Sequence, residues 1–116
     1  MDILEELQEL GIDIKEALER FMNNKDLYKR MLLKFPPNVE KLPVLSFIDA
    51  GDNATALANA HTLKGVAGNL SLTPLFKGYT EIVALFRADK PQEARKILVD
   101  LLPVQEQIIS CINKYC

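Results

Sequence analysis

Residues 53–69 read NATALANAHTLKGVAGN, and the reading of this stretch decides the fold. Ala56, Ala60, Leu63, Ala67 and Leu70 recur at spacings of four, three, four and three, the period of an α-helix that buries one stripe. Asp52 stands just before the stretch and predicts its N-cap, since a carboxylate there accepts an otherwise unbonded backbone N–H. At about 100° per residue the centre of the stripe lies roughly 140° around the helix from His61. The face that holds His61 instead carries Ala54, Leu57, Ala58, Lys64, Gly65 and Gly68. The helix is therefore expected to present its histidine and bury its alanines.

Helical periodicity continues on both sides, and strand signals are nearly absent. Ile3, Leu4, Leu7 and Leu10 predict a short first helix ended by Gly11. Asp13 and Glu16 have capping-box spacing, with Ile14, Ala17, Leu18 and Phe21 following on one face. Asn24 predicts the cap of a helix carrying Leu27, Met31 and Leu32. Pro36, Pro37 and Pro43 lack the N–H a helix interior needs, which predicts a bend or short break near 35–38, then more helix through Leu45 and Ile48. Ala50-Gly51-Asp52 closes this part.

Beyond the central helix, Thr73 followed by Pro74 reads as a cap plus a proline at the first helical position. The helix they start carries Leu75, Tyr79, Ile82 and Phe86, and Asp89-Lys90-Pro91 marks its end. Ala94, Ile97, Leu98, Leu101, Val104, Ile108 and Ile112 then line a last helix, in which Pro103 marks the place for a kink. Residues 1–116 are expected to form one all-α domain, an antiparallel four-helix bundle with a short additional N-terminal helical segment.

Composition narrows the function. Fourteen basic residues stand against 16 acidic ones, a net charge of -2, and no basic stripe points to nucleic acid. No apolar run approaches the roughly 20 residues that span a bilayer, and the acidic residues after Met1 do not read as a signal peptide. Cys111 and Cys116 are too close to the end to close a useful loop, so two free thiols in a reducing cytoplasm are expected. With one histidine and no CxxC spacing, no metal set is expected.

His61 is the only histidine. An ordinary imidazole offers an abundant neutral, nucleophilic form at pH 7. No aspartate stands at a helical neighbour position to orient it, which argues against a hydrolytic triad. A phosphoryl carrier needs less: an exposed ring nitrogen, a cation for the phosphate and room for a partner's active site. Lys64, three residues on, supplies the cation. Gly65 and Gly68 each cost about 1 kcal/mol of helix stability relative to alanine, so their place on one exposed face suggests that something must come close. Tight helix packing is the other reading, and it is as strong as the first for Gly68, near the helix end.

The run His61-Thr62-Leu63-Lys64-Gly65-Val66-Ala67-Gly68-Asn69-Leu70 closely resembles the signature of histidine-containing phosphotransfer domains, which serve multistep relays related to bacterial two-component signalling. Asp26-Leu27-Tyr28-Lys29-Arg30 with Phe35 resembles the family's preceding helix, Ala50-Gly51-Asp52 its turn into the histidine helix, and Leu75, Ile82 and Asp89-Lys90 its following hairpin. The resemblance implies that His61 accepts a phosphoryl group on Nε2 from a receiver-domain phospho-aspartate and relays it to another receiver aspartate. Lys64 would neutralise the phosphate and Gly65 would give docking clearance. Leu57, Ala58, Gly68 and Phe76 are the expected docking residues.

The implied partners are response-regulator receiver domains, with a hybrid histidine kinase as a further candidate. Magnesium would belong to the receiver, and the chain itself would need no cofactor and no metal. A cytoplasmic monomer is expected, a phosphoryl carrier rather than an independent enzyme, since nothing resembles an ATP-binding kinase domain. The rival expectation is a helical interaction module that binds a receiver or another signalling protein without carrying phosphate. The sequence departs from the family pattern at Pro36 and Pro37, at Ser71, where glycine is frequent, and at Gly78, where alanine is. Gly78 would either let its helix pack close to the histidine helix or loosen it.

Overall fold

Eight helices succeed one another among the described residues: α1 (Ile3–Glu9), α2 (Ile14–Arg20), α3 (Lys25–Leu32), α4 (Phe35–Lys41), α5 (Leu45–Asp49), α6 (Asn53–Asn69), α7 (Thr73–Arg87) and α8 (Pro91–Asn113). The computed structural model describes residues 2–115; Met1 and Cys116 lie outside them, and with them the expectations for a leader and for the second thiol.

Seven of the eight helices start in one of two ways. Asp2, Asp13, Asn24 and Asp52 each accept, through the side chain, the backbone N–H three residues on, at 3.0–3.1 Å. These are the caps of α1, α2, α3 and α6. By contrast α4, α7 and α8 have no side-chain cap and carry proline in the first turn, where a missing N–H has no intrahelical partner to lose. Pro36 and Pro37 therefore begin α4 and do not break a helix. The interruptions fall at 33–34 and 42–44, on either side of the expected one. Nor is Thr73 a cap. It is the first residue of α7, and the Leu72 carbonyl before it accepts from the N–H groups of Leu75 and Phe76.

Five helices stop in one way. Gly11, Met22, Gly51, Ser71 and Asp89 have positive φ. The N–H of the residue after each reaches back to the carbonyl five residues earlier: Ile12 to Leu7, Asn23 to Leu18, Asp52 to Phe47, Leu72 to Ala67 and Lys90 to Leu85. Each is a Schellman closure, in which one left-handed residue satisfies the carbonyls left over at a helix end.

The long helices carry the core. α6 packs most extensively on α7, and α7 on α8. Ala56, Ala60, Leu63 and Ala67 of α6 are at most 1% exposed, so the expected stripe is the buried one. Leu75, Tyr79 and Ile82 of α7 and Leu98 and Ile108 of α8 are buried in the same core. At about 1.5 Å per residue the 23 residues of α8 span about 35 Å, against a longest dimension of 41 Å. α8 runs through Pro103 as one helix. α4 and α5 pack on both α6 and α8, while α1 packs on α8 and α2. The close approach at Gly78 is toward α8 and not the histidine helix: a Cβ there would lie 2.6 Å from Leu101 Cδ2.

Two buried tyrosines tie distant segments together. Tyr28 donates its hydroxyl to the Leu70 carbonyl at 2.8 Å, joining α3 to the end of α6. Tyr79 donates to Gln105 Oε1 at 2.5 Å, joining α7 to α8. Burial pushes the Tyr79 phenol up to about 12. No buried side-chain nitrogen or oxygen among the described residues lacks a partner. At the surface, Arg95 grips both Asp49 carboxylate oxygens, at 2.8 and 3.3 Å, fastening α5 to α8.

Candidate functional site: the exposed face of α6

Asp52 starts α6 with two bonds to Thr55, from the backbone N–H at 3.1 Å and the hydroxyl at 2.7 Å, and these hold the carboxyl below its usual range. Alanines on the inner side let α7 come close. Turning away from them, the helix projects His61 into solvent at mid-length. Ala58 and Gly65 are also exposed, while Leu57, Lys64 and Gly68 are half-buried. Leu57 rests its inner edge on the core.

Lys64 lies on the neighbouring turn, with Cβ atoms about 5–6 Å apart expected at that spacing. It forms no ion pair among the described residues. Among the described residues no carboxylate or carbonyl hydrogen-bonds the imidazole. The ring is thus unoriented by a fixed acid, as its neighbours in sequence imply, and its cation is uncommitted. α6 contains no Asp or Glu, and the first acid in α7 is Glu81. The one charged residue of α6 is thus a lysine, although the chain as a whole is at -2.

The two glycines prove different. A Cβ at Gly65 would meet nothing within 4 Å, so that spot opens onto solvent. A Cβ at Gly68 would come 2.9 Å from Phe76 Cδ1. The Phe76 ring, 37% exposed, lies over Gly68 and brings α7 onto the histidine face. Gly68 is therefore a packing residue within this chain. The sequence places His61, Lys64, Gly65, Leu57 and Ala58 together because one helix holds them all. Phe76 joins them through the α6–α7 packing.

Sequence reasoning missed the edge of this face. A groove of about 300 Å³ runs from Gly65 past Gly68 to Phe76, and its far wall is Arg20 and Glu16 of α2. Arg20 donates from Nε to Ser71 Oγ at 2.9 Å and from an outer nitrogen to Glu16 at 3.1 Å. Ser71 was visible only as an unusual residue at a glycine position. A partner 51 residues away carries no local signal.

A larger hollow, about 430 Å³, opens elsewhere, between α1 and α8, beside Glu6, Glu9, Glu106, Cys111 and Lys114. It offers no comparable chemistry. The buried Cys111 thiol is pushed up to about 11, first by burial and then by its hydrogen bond to Glu6, so it is a poor nucleophile. Among the described residues no group of three or more His, Cys, Asp or Glu could hold a metal ion. Among the described residues no helix is long and apolar enough to cross a membrane. The chain has no significant match among family models, curated proteins or solved structures.

Proposed function

We propose that this chain is a histidine phosphotransfer domain, in which His61 takes a phosphoryl group from the phospho-aspartate of a receiver domain and passes it to another receiver aspartate. The observation that carries the reading is the exposed histidine at mid-helix with an unpaired lysine beside it and an empty space at Gly65. In the transfer, the unprotonated ring nitrogen forms a P–N bond as the P–O bond to the aspartate carboxylate breaks. The imidazole proton stays on the other nitrogen. Lys64 balances the charge on the phosphoryl oxygens. The receiver supplies magnesium and most of the positioning, so the carrier can be this simple.

The bundle reading is part of the same proposal. The short connections at 70–72 and 88–90 favour α6, α7 and α8 as successive antiparallel neighbours, with α4 and α5 filling the fourth corner between α6 and α8. A monomer in the cytoplasm suffices, because one exposed imidazole does the chemistry.

The test is transfer from a panel of receiver domains charged with radiolabelled acetyl phosphate. Wild type should acquire an acid-labile, base-stable label, and His61→Gln none while remaining folded. Lys64→Ala should slow transfer and change stability by no more than about 0.5 kcal/mol, as for most surface changes. Equal labelling of wild type and His61→Gln would overturn the assignment. Receiver binding with no label on a folded wild type would favour the interaction module.

A further inference from the structure

The groove beside the histidine face has one wall that belongs to neither α6 nor α7. Arg20, the last residue of α2, is 52% exposed at the side chain, yet both its position and its orientation are fixed. Nε is bonded to Ser71 and one outer nitrogen to Glu16, and the residue lines the groove. A bare surface arginine has no reason to be anchored twice.

Ser71 makes the anchoring harder to dismiss. It is 3% exposed and sits at φ 54°, where a side chain is strained and glycine would not be. A glycine would close α6 with less strain, but it has no hydroxyl to take the Arg20 bond. The serine hydroxyl also lies 3.5 Å from Glu16 Oε1, completing a three-residue latch.

The position bears on docking. Gly65 is one turn beyond His61 and Gly68 about two, on nearly the same face. A protein segment laid along α6 from His61 toward the helix C-terminus therefore runs into this groove, between Phe76 on one side and Arg20 on the other. α6 carries Lys64 and no acid, and the one acid on the groove wall, Glu16, is already engaged by Arg20, so the surface the segment meets favours an acidic partner.

We propose that Arg20 is a specificity-determining residue of the docking surface, held by Ser71 and Glu16 to take a carboxylate of the receiver domain that lies along α6. Phe76 takes an apolar side chain next to that carboxylate. This rests on the phosphotransfer reading above, and the experiment separates the two.

Single-turnover transfer is measured against receiver concentration, using the labelled receiver that charges wild type fastest. Arg20→Ala should raise the half-saturating concentration about two- to fivefold, as for a solvent-edge ion pair, and leave the limiting rate unchanged. Arg20→Glu should raise it further, by about tenfold or more, through like-charge repulsion. Raising salt should weaken wild type more steeply than Arg20→Ala. Ser71→Gly, which relieves backbone strain and frees the arginine, should give a smaller rise of the same kind with the fold intact.

A half-saturating concentration and salt slope equal to wild type in Arg20→Ala would overturn the proposal and leave His61 as the acceptor. So would a fall in limiting rate that tracks lost thermal stability, the mark of a latch that only supports the fold. Failure of wild type itself to be labelled by any receiver would instead remove the phosphotransfer reading, and this proposal with it.

Discussion

Residues 3–49 and residues 53–113 are built differently. The first region holds five helices of five to eight residues, and the second three helices of 15 to 23. Isolated helices shorter than about 12–15 residues are marginal in water. The first region therefore holds its shape by docking on the second and by its caps. The histidine sits in the second, on a helix long enough to be a rigid platform. The first region holds the C-terminal end and the middle of that platform: Tyr28 ties to Leu70, Arg20 to Ser71, and Asn59 of α6 donates to the Pro43 carbonyl at 2.7 Å. The difference teaches that the part without the candidate chemistry still fixes the helix that carries it.

The largest expected effect tests whether the two regions stand or fall together. Phe35 at the start of α4 is fully buried. Phe35→Ala should lower stability by about 3–5 kcal/mol. Hydrogen exchange should then quicken by a matching factor in α6 as well as in α3 and α4. If the α6 amides keep their wild-type protection, the first region unfolds on its own and the buttressing argument fails.

Next in size is a pair of glycine substitutions. At Gly78 an added methyl would press on Leu101, with three of its carbons between 2.6 and 3.1 Å. Overpacking of about 1–3 kcal/mol should outweigh a helix-propensity gain of up to about 1 kcal/mol, so Gly78→Ala should be destabilising. At Gly65 nothing is in the way, so Gly65→Ala should be stabilising by about 0.5–1 kcal/mol. If Gly65 serves receiver clearance, Gly65→Leu should stay folded and transfer poorly. Denaturant unfolding midpoints of the two alanine variants should move in opposite directions; movement in the same direction would break the contrast.

Such contrasts mark the boundary of what the sequence makes legible. The extent of α6, its cap at Asp52 and its buried stripe follow from local rules, and so does the exposure of His61. Helix ends at Gly11 and Gly51 are legible because glycine advertises the left-handed conformation. The end at Asp89 is legible through the Asp89-Lys90-Pro91 run, whereas those at Met22 and Ser71 use the same geometry with residues that do not advertise it. Pro36 and Pro37 mislead because proline breaks a helix interior but begins a helix equally well, and only tertiary packing chooses. For each of the glycines at 65, 68 and 78 the sequence leaves open what comes close to it. One is open, one lies under Phe76 and one under Leu101, because contacts across helices decide their roles.

The smallest expected effect lies in acid and bears on the caps of the two regions. Asp52 is held below the ordinary aspartate value of 3.8 chiefly by the Thr55 hydroxyl, then by the Thr55 N–H. Asp2, at the head of α1, is held low chiefly by the Glu5 N–H. A carboxylate lowered on folding contributes stability that is present above its unfolded value and lost as pH falls through the folded one. The loss should therefore set in as pH drops below 3.8 and grow toward the lower folded-state values. Asn also accepts a capping bond but does not titrate there. Asp52→Asn should match wild-type helicity at pH 7 and lose less of its stability in acid. Asp2→Asn should change the acid response only in the amides of α1 and α3, because that carboxylate caps α1 and pairs with Lys29 of α3 at 3.8 Å, whereas Asp52 serves the platform. Acid unfolding followed by residue-level exchange checks both. If Asp2→Asn protects α6 in acid as well as Asp52→Asn does, then the caps of the short helices carry the platform as strongly as its own.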